Sequence, residues 1–567
     1  MDSSNKVSYI FRKHPWVRVF SLIFVIAAVF FVAYLISHKT EESPVIESII
    51  PPVGSPGDVV LITGKNFGDE RDMSYVSFSG SKITSSSYIS WSDTQIKLVL
   101  PANVQDGLVI VGTKEAQSNP ALFANEGDIP VLVPTTQQII KPTITSLSTE
   151  KVSIGEKLII LGNNFGETRN NSKVLFTIDY NNNIKNASYI NKRLTTENLV
   201  EVSAEESGYE YWSNTEIHVR VPSGARTGVV IVENDKNSSD PYDIEILETA
   251  GSREYLDKKI YVVQYNADVI DVETSDVSTI TLRCPIPVKI PSQNAVDVTE
   301  IQPVPLIQNY QNCNVQQFKR DKNSVYKNSF TQTFVLPVYE VRTKVNPDKI
   351  GSMKNLNSAF YMTYTRKDSL VPADTDELVD LYKQIVGKEK NYYKRAKLIY
   401  DYMCDNYSIT KKNRKNDADP MDLITKEKGD AYDFTIIYAA LLRTAGIPCV
   451  VNSGILINQN LTTQNHWWVD FYMPGVGWIP VDIALGAGME YKPWNGNIDA
   501  REYYFGNMDS HRVTFSRGYT EMKPLSQDNK IITYSKSFAL QSIWEEASNN
   551  TIKYSSYWSV PVINGVY

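Results

Sequence analysis

Cysteine is scarce. The 567 residues hold four, Cys284, Cys313, Cys404 and Cys449, and no Cys-x-x-Cys pair. That argues against a zinc ribbon or a thioredoxin-type centre, and no metal or cofactor is implied. If oxidised, four cysteines allow three pairings; buried free thiols are the plainer reading. A basic excess is also missing. Lys and Arg total 57 against 64 for Asp and Glu, a formal charge of −7, so nucleic acid held through phosphate contacts is not expected. Charged residues reach only 21% and hydrophobic ones 42%, which excludes wholesale disorder. What is present is length enough for several domains, with 28 Gly, 27 Pro and 34 Tyr in the manner of a turn-rich β protein.

One long apolar run stands out. Val19 to Ile36 carries no charge and a single Ser, with Lys6, Arg12, Lys13 and Arg18 before it and Lys39, Glu41 and Glu42 after it. As a helix its 18 residues would reach about 27 Å, close to a bilayer core. The basic flank predicts a cytoplasmic N-terminus over 1–18, a transmembrane helix over 19–36 and everything beyond His38 outside. The expected location is the inner membrane, single-pass, with the bulk periplasmic or extracellular. The rival is a cleaved signal peptide, but the run is long for one and no small-x-small site follows.

Next comes an internal repeat. Gly57-Asp58-Val59-Val60-Leu61-Ile62-Thr63-Gly64-Lys65-Asn66-Phe67-Gly68 recurs 98 residues on as Gly155-Glu156-Lys157-Leu158-Ile159-Ile160-Leu161-Gly162-Asn163-Asn164-Phe165-Gly166. Trp91-Ser92-Asp93-Thr94-Gln95-Ile96 recurs 121 residues on as Trp212-Ser213-Asn214-Thr215-Glu216-Ile217, so the second copy holds 23 extra residues between Gly166 and Trp212. Short β-branched runs between Gly, Asn and Pro predict a small antiparallel sandwich in each copy. The copies, 44–125 and 141–247, resemble immunoglobulin-like IPT/TIG domains. That resemblance implies spacing or binding roles.

Strand-like runs over 255–365 predict a further β-rich domain. Helical periodicity follows, with Leu378, Leu381, Tyr382 and Ile385, then Ala396, Ile399, Tyr400 and Met403. From Asp430 the apolar residues Phe434, Ile437, Tyr438, Leu441 and Leu442 mark one face of an amphipathic helix over about 431–445. Asp430 suits its N-cap, Asp433 its first turn, and Gly446 and Pro448 its end. Asn465-His466-Trp467-Trp468-Val469-Asp470 alternates as a strand, and Pro474-Gly475-Val476-Gly477 turns it into Trp478-Ile479-Pro480-Val481-Asp482. This hairpin brings His466 and Asp482 near each other, with the register open and a bulge conceivable.

Capped helix, Gly-Ile-Pro exit, His strand and Gly-Trp-x-Pro-x-Asp strand together resemble the transglutaminase-like core of the papain-like cysteine enzymes. The match covers about 370–515 and includes Tyr503 to Arg512. The resemblance implies an α+β domain whose nucleophilic Cys sits on the helix's first turn, with a His base and an orienting Asp. Those partners are His466 and Asp482, but the nucleophile position is Ala431. A methyl group neither attacks an acyl carbon nor carries an acyl intermediate. Cys449 lies 18 residues on, some 24 Å or more along a straight helical rise; Cys404 lies on the preceding helix, and Tyr432 and Thr435 need strong activation. His466 and Asp482 are then a vestigial dyad that pins the hairpin, or part of a cleft. Trp467, Trp468, Trp478 and Trp494, with Tyr432 beside them, could line a groove for an extended peptide, core packing being the plainer reading. The expected protein is a catalytically dead binder or scaffold for a peptide, glycan or protein partner in the cell envelope. The alternative is an active acyltransferase or peptidase with a non-standard nucleophile, or with Ala431 an engineered replacement. The stretch 519–567 stays unassigned.

Overall fold

The architecture was analysed in a computed structural model. It describes Trp16, residues 23–24 and 26–29, and residues 43–567 without 102–103, 115, 126–140, 180–198, 235–236, 321–327, 412, 414–418 and 493–497. The repeat folds twice with one strand order. In the first copy one sheet runs Val45–Ile50, Val59–Lys65, Gln95–Val99, Tyr88–Trp91, and its partner runs Val53–Gly54, Ala121–Asn125, Gly107–Gly112, Tyr75–Phe78, Ser81–Lys82. In the second copy the first sheet runs Thr143–Leu147, Lys157–Asn163, Glu216–Arg220, Tyr209–Trp212. Its partner runs Lys151–Ser153, Tyr242–Leu247, Ala225–Glu233, Lys173–Ile178, Leu199–Glu201. Alternation puts Val60 and Ile62 in one core and Leu158 and Ile160 in the other.

The shared Gly-x-Asn-Phe-Gly element has a physical reason at each place. A Cβ on Gly64 would lie 1.9 Å from the Val45 carbonyl oxygen, and one on Gly162 would lie 2.0 Å from that of Thr143. Asn66 and Asn164 take the left-handed conformation, which turns Phe67 and Phe165 into the cores. The indoles of Trp91 and Trp212 donate to the carbonyls of Phe67 and Phe165. Most of the second copy's insertion lies outside the described residues.

The chain divides into two compact units, with the first sandwich in one. In the second unit, the second sandwich is followed by two long strands, β1 (Gly251–Thr274) and β2 (Asn328–Val345). They pair from Gly251↔Val345 to Val269↔Asn328, with a register shift at Leu256/Lys259. Tyr261, Val263, Tyr265, Ala267 and Val269 alternate into a second core, which they share with Ile455, Ile457, Val513 and Phe515 further along the chain. The C-terminal strands Thr551–Trp558 and Val562–Val566 pair with the other side of β1. Residues beyond 519 thus complete this β-rich layer.

The α+β domain follows. Its helices include α1 (Asp376–Val386), α2 (Tyr392–Asn406) and α3 (Ala431–Thr444). Its antiparallel sheet has the order β5 (Gly477–Val481), β4 (Thr463–Met473), β3 (Cys449–Ile457), β6 (Arg512–Arg517). The expected one-sided apolar face of α3 is corrected: Ile436, Ala439 and Ala440, off that face, are buried as well. A helix wrapped on all sides by other elements has no solvent face to keep polar. It ends as expected, with Gly446 at φ +72°.

One expectation fails outright. Among the described residues no helix is long and apolar enough to cross a membrane. The expected span 19–36 lies outside the described residues save 23–24 and 26–29. Among the described residues the fold is therefore corrected to β-sandwiches, a β-rich layer and an α+β domain, with no helix fit to cross a membrane. The single-pass inner-membrane location, with its cytoplasmic N-terminus, is not supported.

Candidate functional site

The site is built where the start of α3 meets β4. Asp430 caps α3: its Oδ1 accepts from the Asp433 amide at 3.2 Å, while Asp433 Oδ2 accepts from the Asp430 amide at 2.9 Å. This reciprocal box holds the first turn, which begins at Ala431. Thr435 Oγ1 ties that turn to the sheet, donating to the Ala431 carbonyl at 2.7 Å and lying 3.1 Å from that of Trp467. The rings of Tyr432 and Trp467 meet edge to face at 5.2 Å. Ala431 and His466 therefore sit on neighbouring elements, and both are buried, at 1% and 0% exposure.

The hairpin pairs Val469↔Val481 and Asp470↔Pro480 with no register shift. No bulge is used. Instead the ladder stops at Val481, and Asp482 caps the short helix α4 (Ile483–Gly486). Its Oδ1 accepts from the Leu485 amide at 3.1 Å. Its Oδ2 accepts from His466 Nε2 at 2.7 Å and from Arg512 Nη1 at 2.9 Å. Burial pushes the Asp482 carboxyl up, but His466 and Arg512 together hold it down at about 2. With Nε2 committed to Asp482, His466 Nδ1 is left buried without a hydrogen-bond partner. A neutral ring in this state presents Nδ1 as an acceptor for a proton.

Two polar partners were not foreseen. Arg512 comes from β6 and stacks over Trp468 at 5.0 Å. Lys536 comes from the C-terminal stretch; its Nζ lies 3.0 Å from Asp430 Oδ2 and 3.7 Å from Asp433 Oδ1. That segment is fastened beside the site, where Asn465 Nδ2 donates to the Lys536 carbonyl and Ser453 Oγ to that of Ser537. Arg512 ends a motif that the sequence offered; Lys536 carries no local signal.

The cysteines are all free. Cys449 is nearer to α3 than a straight chain allows, because β3 folds back: its Sγ donates to the Ala439 carbonyl at 3.3 Å. That is still eight residues, about 12 Å of rise, from Ala431. Burial pushes its thiol up to about 11 and that of Cys404 up to about 12, opposite to an activated nucleophile. Tyr432, Trp467 and Trp468 are buried. Trp478 packs elsewhere, against Phe360, Tyr364 and Tyr472. Trp494 lies outside the described residues.

Comparison with known proteins agrees with this geometry. Residues 379–483 match the transglutaminase-like superfamily and residues 44–124 the IPT/TIG domain. The chain therefore carries a transglutaminase-like domain and an IPT/TIG domain. It is 33% identical over 86 residues to a cyclomaltodextrin glucanotransferase of Paenibacillus macerans, covering 15% of this chain and 12% of that enzyme. It is 28% identical over 177 residues to an uncharacterized protein of Haemophilus influenzae, covering 25% of this chain and 47% of that protein. In both cases it spans less than half of the relative's length. Among solved structures, a candidate cysteine protease from Cytophaga hutchinsonii is 14% identical with a TM-score of 0.35, covering 56% of this chain and 93% of that one.

Proposed function

We propose that the transglutaminase-like domain of this chain binds and organises a partner, and that it performs no acyl transfer. The observation that carries this reading is the pairing of a methyl with an orphaned base. His466 is oriented by Asp482 as a general base requires, yet its Nδ1 has no hydrogen-bond partner, and the helix turn that brings the nucleophile in the family begins with Ala431. Without a thiolate the first half of the reaction has no attacking atom. Burial of Ala431 and His466 supports the same reading, because an acyl substrate must touch both. The retained dyad then serves the fold, locking β4 to the end of β5. The two sandwiches act as spacers or additional binding surface, and the partner is a peptide, a glycan or a protein.

The test uses the full chain in amine-incorporation and peptide-cleavage assays, beside an A431C variant. The native chain is expected to be silent in both assays and unreactive toward an acyl-directed covalent probe. A431C is expected to gain a thiol of unusually low pKa, since a helix N-terminus and an imidazole both favour thiolate. Turnover by the native chain, or covalent labelling of it beside His466, overturns the proposal.

A further inference from the structure

The buried dyad offers a ligand no access, whereas a cleft of about 600 Å³ opens elsewhere in the second unit. It lies between the second sandwich and the α+β domain, within the size range of small-ligand sites. We propose that this cleft is a binding site for a saccharide carrying carboxylate groups. The inference rests on the reading of the domain as a binder and assigns that role a place and a ligand chemistry.

The first argument is the kind of apolar surface present. Among the described residues lining the cleft there is no Leu, Ile or Val; the apolar surface is supplied by Phe360, Tyr361, Tyr472, Pro448, Pro474 and one methionine, Met353. Flat rings suit the C–H face of a sugar ring. Two of the rings are fixed from behind. Tyr361 is half-buried and donates its hydroxyl to the Gly446 carbonyl at 2.8 Å; Tyr472 donates to the Gly155 carbonyl at 2.9 Å. Tyr361, held in this way, loses little freedom when a ligand stacks on it, while Tyr472, 8% exposed, and Phe360, beneath the Arg220 guanidinium, back the wall.

The second argument is the polar complement. Ser153, Thr249, Ser352 and Ser358 bring four hydroxyls and Asn355 an amide, groups that both donate and accept as sugar hydroxyls require. The third is charge. Four cations, Lys157, Arg220, Lys349 and Lys354, face two carboxylates, Glu156 and Glu210. Both carboxylates are already engaged, Glu156 by Lys354 at 3.4 Å and Glu210 by Arg220 and Lys157. The positive surplus therefore falls to the ligand. Arg220 is built in: its guanidinium lies 4.4 Å over the Phe360 ring and donates to the Gly155 carbonyl, and its Nε is buried without a hydrogen-bond partner.

The test is calorimetric titration of the full chain with hexagalacturonate, maltohexaose and hexaglutamate. Hexagalacturonate is expected to bind, with maltohexaose and hexaglutamate at least about tenfold weaker, and rising salt is expected to weaken the binding. K349E at the exposed rim and Y361A on the floor are each expected to cost about tenfold in affinity. Y361F, which keeps the ring and gives up only its tether, is expected to bind nearly as the native chain does and so controls for folding. The proposal is overturned by absence of hexagalacturonate binding, by equal binding of maltohexaose, by hexaglutamate binding as well or better, or by indifference to both K349E and Y361A. Amine incorporation by the native chain would instead sink the parent reading, whatever the titration shows.

Discussion

Asp482 shows how much structure one buried carboxylate can hold together. It is fully buried, and its two oxygens accept from His466, Arg512 and the Leu485 amide. Its folded pKa lies near about 2, below the ordinary 3.8. A depressed carboxylate stabilises the fold above its unfolded pKa, and that contribution disappears as pH falls through the folded value. The contribution is about 2 kcal/mol. D482N removes the charge opposite Arg512 and is expected to cost about 3 kcal/mol at neutral pH. The gap between native and variant should narrow as pH drops from 3.8 toward about 2, as denaturant titrations of the second unit's transition at several pH values will show. A gap independent of pH would mean that geometry, not charge, is what Asp482 supplies.

At the level of elements, the start of α3 depends on a lysine 106 positions away in sequence. The Lys536 side chain is 8% exposed and sets its one positive charge beside two capping carboxylates that are fully buried. K536M removes a buried cation from beside both carboxylates and should cost about 3 kcal/mol. K394M, at an exposed pair with Asp348, should cost under about 1 kcal/mol; thermal melts of the two variants side by side check the contrast. β3 carries a second vulnerability. A Cβ on Gly454 would fall 1.8 Å from the Val513 carbonyl oxygen, where only backbone can yield. G454A is expected to force β6 from β3, cost about 3 kcal/mol and loosen Arg512, which hydrogen exchange across 512–517 will register. The sequence disclosed much of this level. Asp430 and Gly446 announced the helix ends, and the alternation through His466 together with the turn before Trp478 announced the dyad, because caps and periodicity are local signals. Arg512 ended a legible motif, but its contact with Asp482 was silent, as was Lys536, because both contacts arrive through strand pairing and a distant return of the chain. The packing that buries α3 on every side was equally invisible, since a sequence window does not contain its neighbours.

At the scale of the whole second unit, the sandwich and the α+β domain share one hydrophobic core. Their joint is polar at its centre. Glu206 of the sandwich is buried 4.0 Å from Arg517 of β6, which also binds Asp470 of β4. Beside it Arg253 donates to the Trp478 carbonyl, and Ser223 accepts from the Trp478 amide at 2.9 Å. A Cβ on Gly477 would meet Ser223 Oγ at 2.2 Å, so the two parts touch where no side chain fits between them. The repeat made the sandwich legible from sequence, but not this joint, because a buried carboxylate looks in sequence like any surface one. Burial pushes the Glu206 carboxyl above its ordinary 4.5, and the nearby arginines only partly offset this. The sign is therefore opposite to that of Asp482. The folded unit holds the Glu206 proton longer than the unfolded chain does, so stability falls as pH rises from 4.5 through the folded value. E206Q keeps the shape and removes the titration. The stability difference, E206Q minus native, should grow with rising pH across that window and level off above it in melting experiments on the full chain. A difference that shrinks as pH rises would mean that ionised Glu206 is net stabilising through Arg517 and would reverse this account of the joint.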